Sequence, residues 1–179
     1  MKTLLAMMMA FGLVLSSATV CAEWAPETNN EMELSVAQAI LKAKNRDETL
    51  TKWFTDAYAY AIFPKVGKGA IGIGGAHGKG IVIQGDKTIA ETSLSQLTIG
   101  FQLGGQVYSE FIFFKDKTAL DNFARGNFEM SAQATAVALT AGASAETNYD
   151  SGVAVFTIAD GGLMYEASIG GQKFKYQAK

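Results

Sequence analysis

The sequence predicts an α+β domain: a curved antiparallel β-sheet or partial barrel, with N-terminal helices and one inserted helix packed on it. Three observations carry this reading. From Lys68 onward apolar residues alternate with Gly or polar residues, the period of a half-buried strand. Between Ser35 and Pro64 they recur instead at three- and four-residue steps, the period of a helix. Behind Asp116 the segment KTALDNFAR interrupts the strands with a third helical pattern, closed by Gly126.

Residues 1–22, MKTLLAMMMAFGLVLSSATVCA, hold one Lys, an apolar centre and a small-residue end, the pattern of a secretory signal peptide. Val20 and Ala22 suit a cut after Ala22, giving an exported, periplasmic protein that starts at Glu23. A lipoprotein signal would acylate Cys21 instead, but Ala18 and Val20 fit that signal poorly. Cleavage after Ala22 removes the one cysteine, so the remaining chain has no disulfide to form.

What remains, residues 23–179, has the length of one domain. It carries 14 Lys and Arg against 17 Asp and Glu, a net charge of −3, which argues against nucleic-acid binding through a generally basic surface. Residues 23–34 are polar and acidic and read as a flexible N-terminus ahead of a single domain over 35–179.

Within that domain Ser35 can cap a helix through Lys44, with Ala37, Ile40 and Leu41 on one face. Asp47 or Thr49 starts a second helix carrying Leu50, Trp53, Phe54, Ala57, Tyr58 and Ala61, which Pro64 stops. Its aromatic stripe is read as core, with membrane insertion as the alternative. Ile71, Ile73, Ile81 and Ile83 then lie on strands. Gly85-Asp86-Lys87 makes a turn, and Thr88–Leu94 returns. Leu97, Ile99, Phe101 and Leu103 share one face of a half-buried strand, and Val107–Phe114 is apolar enough to be central. Phe128–Ala143 alternates alanine with larger residues, and Gly152–Ala159 with Leu163–Tyr176 reads as a closing hairpin across Asp160-Gly161-Gly162.

The segment that decides function is AYAYAIFPKVGKGAIGIGGAHGKGIVIQG, residues 57–85. No Asp or Glu lies within it, while Lys65, Lys68, His77 and Lys79 do, so it makes a local positive field in an acidic chain. Gly67, Gly69 and Gly72 match GxGxxG, but no helix pattern follows to receive a phosphate, and Gly80 stands where a Walker A loop needs Ser or Thr.

Three runs, AIFPKVGKGAIGIGGAHGKG, GFQLGGQVYSEFIFF and SGVAVFTIADGGLMYEASIGGQKF, together resemble the SYLF domain family. The resemblance covers about Ala37 to Tyr176 and implies a non-enzymatic module without cofactors that binds anionic phospholipid or a membrane surface. Eukaryotic members recognise phosphoinositides and link membranes to actin. The matching glycine-rich run nominates Lys65, Lys68 and Lys79 as the lipid-binding residues.

Composition limits catalysis. With one His and a cysteine lost with the signal, a multi-His or Cys metal site is excluded, and no GxSxG accompanies His77. His77 is read as a solvated turn residue or an anion contact, and no catalytic residue is assigned. Two alternatives stay open. One is an envelope hydrolase using a carboxylate pair drawn from Glu91, Glu110, Glu129 and Glu166. The other is an integral outer-membrane β-barrel, which would need lipid-facing strands of about nine to eleven residues.

Overall fold

A computed structural model describes residues 23–71, 73–99, 104–126, 136–161 and 171–179. Two layers of apolar residues flank one sheet of seven strands in the order β5-β6-β4-β1-β2-β3-β7. The strands are β1 (Ala59–Ile71), β2 (Ile73–Gln84), β3 (Lys87–Ile99), β4 (Gly104–Phe114), β5 (Val137–Ala138), β6 (Val153–Gly161) and β7 (Gln172–Ala178). All neighbours pair antiparallel except β5 with β6, so the sheet is mixed at that one edge. The expected α+β class with a curved sheet holds.

Helix α1 (Glu31–Arg46) begins four residues before the Ser35 start expected from sequence. Asn30 is its cap, its side chain accepting from the amides of Met32 and Glu33. The inward face is Val36, Ala39 and Ala43, with Ala37 and Ile40 partly buried, whereas Leu41 is 62% exposed. The second helix is much shorter than expected. A 3-10 turn, Glu48–Leu50, leads into α2 (Thr51–Asp56), and by Ala59 the chain is already strand. Asp47 fixes this corner from 1% exposure, its carboxylate accepting from the amides of Thr49, Gly142 and Ser144. Burial raises its pKa, but these bonds and the Thr49 hydroxyl outweigh burial and hold it at about 2.

Trp53 and Phe54 pack half-buried against the core, as expected, Trp53 meeting Phe113 and Phe156 at ring separations of 5.7 and 5.1 Å and Phe54 meeting Tyr60 at 5.2 Å, whereas Tyr58 of the same stripe is exposed. The first residues of the described chain are pinned rather than loose. Trp24 is buried and donates from Nε1 to Thr88 Oγ1, which in turn donates to Glu33. Burial pushes the Glu33 carboxyl up, yet the Glu27 amide, Thr88 and Lys179 prevail and lower it.

One face of the sheet packs under α1, α2 and Leu50; the other encloses Phe63, Val66, Tyr108, Ile112, Phe114 and Phe174 with α3 (Lys117–Ala124). Asp116 caps α3 by accepting from the Ala119 amide, Leu120 and Phe123 are buried, and Gly126 at φ 69° ends it, all as the sequence implies. The sheet curls around this second face. From β4 to β7 is four strand steps, roughly 19 Å along a flat sheet, yet Gln172 on β7 hydrogen-bonds Glu110 on β4 at 3.0 Å.

Of the strand expectations, one changes and two fall partly outside the described residues. Leu97 is 71% exposed, because Thr92, Leu94 and Gln96 take the inner positions of β3 and leave Leu97 outside. Of the expected closing hairpin, residues 162–170 lie outside the description; among the described residues β6 pairs with β4 and β7 with β3, on opposite sides of the sheet. Of Phe128–Ala143, residues 128–135 lie outside the description, and the remainder holds the two-residue β5 and the start of a 3-10 turn at Ala143–Glu146.

Candidate functional site

The glycine-dense stretch is neither a phosphate loop nor a string of turns. It is the β1–β2 hairpin, in which Gly67 and Gly69 of the GxGxxG match lie within β1 and no helix follows.

Pro64 explains the site's geometry. β1 is flanked on both sides, where a residue lacking an N–H breaks a ladder. The pairing steps from Ile62 opposite Ile81 to Lys65 opposite Lys79, so β1 spends one residue more than β2. The same extra residue appears against β4, between Phe63 opposite Glu110 and Val66 opposite Tyr108. Ser109 anchors the bulge by donating from Oγ to the Pro64 carbonyl at 2.8 Å. Phe63 and Val66 both enter the inner core, leaving Pro64 and Lys65 together on the face beneath α1.

That face carries a groove of about 590 Å³, bordered by Ser35, Gln38 and Lys42 of α1 and by Lys65, His77 and Lys79 of the hairpin. Lys65 and Lys79 are direct cross-strand partners, an arrangement in which like charges repel. Lys42 pairs with Asp160, the one carboxylate among the described residues of the groove wall. Among the described residues neither Lys65 nor Lys79 has an ion-pair partner. The groove therefore presents positive charge, hydroxyls and an amide to solvent, a setting for an anionic group.

Of the three nominated lysines, Lys65 and Lys79 converge and Lys68 does not. Lys68 pairs in register with Ala76 and has the strand parity of Val66, so it belongs to the opposite face of the sheet. His77 sits in mid-strand opposite Gly67, exposed and on the groove wall, rather than in a turn. Lys42 and Asp160 were not found from sequence; they lie 118 positions apart and carry no shared motif.

The carboxylate alternative loses its described pair, since Glu91 is exposed on one face of the sheet while Glu110 is fully buried on the other. Glu129 and Glu166 lie outside the described residues. No helix among the described residues is long and apolar enough to cross a membrane. The barrel alternative needs an outer face free for lipid, and here that face packs against α1 and α2.

Fold and groove together define a helix-covered, curled-sheet domain with a cationic groove beside its central bulge. Residues 95–178 match the family model Ysc84, described as Las17-binding protein actin regulator, and in this they resemble the SYLF domain proteins, a family associated with lipid binding. The chain is also 26% identical over 155 residues to Beta cell expansion factor A of Aeromonas veronii. That alignment takes in 83% of this chain and 59% of the relative's length.

Proposed function

We propose that this protein is a non-enzymatic lipid-binding module, exported to the periplasm, that holds an anionic phospholipid headgroup in the groove between α1 and the β1–β2 hairpin. The observation that carries this reading is the cross-strand apposition of Lys65 and Lys79, walled by His77 and Lys42. Two exposed cations held side by side across neighbouring strands repel each other, and an anion between them relieves that repulsion. A phosphate between them would turn that repulsion into two charge-assisted contacts, and the Ser35 hydroxyl and Gln38 amide offer further donors.

Co-sedimentation with vesicles of anionic or zwitterionic phospholipid, at two salt concentrations, tests this. Each lysine near an anionic surface contributes about 1 kcal/mol, so Lys65→Gln with Lys79→Gln should weaken anionic-vesicle binding about thirtyfold at low salt. Lys68→Gln, on the other face, should change it little. Wild-type binding by the double variant, or equal loss from Lys68→Gln, would reject the groove as the contact.

A further inference from the structure

Glu110 is a carboxylate buried in the inner core, and among the described residues no positive charge acts on it. It is fully buried on β4, opposite Phe63 of β1 and Thr157 of β6. Gln172 of β7, also fully buried, donates from Nε2 to Glu110 Oε2 at 3.0 Å. The other oxygen of each group, Glu110 Oε1 and Gln172 Oε1, is buried with no partner among the described residues.

A planar carboxamide and a planar carboxyl joined by one N–H···O bond can close a second one, between their two remaining oxygens, when a proton lies between those oxygens. Without a proton on Glu110 neither oxygen can donate to the other, and the Tyr108 hydroxyl, which has one proton to give, can satisfy at most one of the two, a cost in a dry core. With one proton on Glu110 Oε1 the carboxyl donates to Gln172 Oε1, and both orphans are satisfied by a single change of protonation.

We propose that Glu110 is held as the neutral acid in a cyclic carboxyl–carboxamide pair with Gln172, and that this pair fastens β4 to β7 across the inside of the curl and loosens when Glu110 ionises. The pair occupies a strategic place, because β4 and β7 are four strands apart in the sheet and their side chains meet only because it curls. Phe63 and Phe174, at a ring separation of 5.8 Å, close the same side of the interior.

The groups around Glu110 agree. Tyr108, two residues along β4, is the titratable neighbour in hydrogen-bonding reach, and burial together with the Glu110 charge raises its own pKa. Lys68 shares the inner face of β1 but lies beyond Val66, the register partner of Tyr108, two residues further from Glu110. β3 contributes Thr92, Leu94 and Gln96 to this face and α3 contributes Leu120 and Phe123, none of them charged, while Lys173 and Lys175 of β7 are exposed. Burial pushes the Glu110 carboxyl up to about 7, with the Gln172 and Tyr108 bonds opposing it. Because the folded value lies above the unfolded one, the fastening is complete below the ordinary carboxylate range and is lost as pH rises through about 7.

A titration of the glutamate side-chain carboxyl carbons by NMR from pH 4 to 9, on the purified wild-type protein, needs no variant to fold. One carboxyl should titrate near neutrality, and that signal should vanish in Glu110→Gln and shift in Gln172→Met. In parallel the wild-type thermal midpoint should fall by on the order of 5–10 °C between pH 5 and 8.5 relative to Glu110→Gln, whose amide–amide pair keeps both bonds at every pH. If every glutamate titrates in the ordinary range, Glu110 is ionised in the core and the proposal is wrong. It is equally overturned if the signal near neutrality survives in Glu110→Gln, or if wild type and Glu110→Gln share one pH dependence of stability.

Discussion

Gly80 tests the bulge on which the groove depends. It sits on β2 between Lys79 and Ile81, across from the extra residue of β1. A Cβ there would lie 2.2 Å from the Ile62 carbonyl oxygen and 2.9 Å from a Phe63 ring carbon, where ordinary contact begins at 3.4 Å. The first obstacle is backbone, so relief requires β1 and β2 to part by about 1 Å, more than a hydrogen-bonded ladder tolerates. Overpacking of this kind costs about 1–3 kcal/mol, and one or two weakened ladder bonds add about 1 kcal/mol each. Against that, alanine restricts the unfolded chain and returns about 0.4–1 kcal/mol. Gly80→Ala should therefore destabilise by about 3 kcal/mol. The control is Gly67→Ala on the same hairpin, where a Cβ meets nothing within 4 Å. With no positive φ to oppose it, that variant should be neutral or stabilised by up to about 1 kcal/mol. Equilibrium urea unfolding of both variants measures the difference, and Gly80→Ala should also weaken anionic-vesicle binding because Lys65 moves with the bulge. Equal stabilities for the two variants would refute the close approach at Gly80 and the bulge geometry built on it.

Other outcomes follow from the same contacts. Asp47→Asn should cost about 2 kcal/mol at pH 7; because the folded pKa lies below the unfolded one, the deficit should shrink as pH falls from 4 toward 2, read from urea midpoints. Trp24→Ala should cost about 2–4 kcal/mol in the same assay, since the indole is buried and tied to Thr88, whereas a truly loose N-terminus would lose nothing. Lys42→Ala should change stability by less than about 1 kcal/mol, because its pair with Asp160 is largely exposed, yet it should lower anionic-vesicle binding measurably.

The layered fold was legible where periodicity is local. α3, with Asp116, Leu120, Phe123 and Gly126, could be read from the eleven residues 116–126, because cap, inward face and stop all lie within them. The second helix was misjudged for an equally physical reason. Leu50, Trp53, Phe54, Ala57, Tyr58 and Ala61 keep a helical spacing, but the run mixes one short helix with the first residues of a strand whose alternate side chains serve both core layers. A strand buried on both faces shows no alternation, so Tyr60, Ala61, Ile62 and Phe63 could not declare their period. The expected final hairpin runs into residues 162–170, outside the description, and local turn chemistry at Asp160-Gly161-Gly162 says nothing of the pairing of β6 with β4 or of β7 with β3.

The site divides along the same line. Lysines 65, 68 and 79 appear in sequence as one basic segment, and simple alternation would put Lys65 and Lys68 on opposite faces. It would also send Pro64 and Val66 the same way, with nothing to select which lysine meets α1. The choice is made by Pro64, which forces a bulge into a strand that is paired on both sides, so that Phe63 and Val66 both turn inward and Lys65 is delivered beneath α1. Register then sets Lys79 directly across from it, and the same register leaves Lys68 with Ala76 on the inner side. A residue that donates no hydrogen bond and carries no charge thus decides which charges meet. The consequence is testable at Pro64 itself: Pro64→Val supplies an N–H and β preference and should favour a straightened strand. If the bulge positions the groove, this variant should lose salt-sensitive binding to anionic vesicles while every lysine remains in place. Unchanged binding would mean that the lysines meet the headgroup by their proximity in sequence alone.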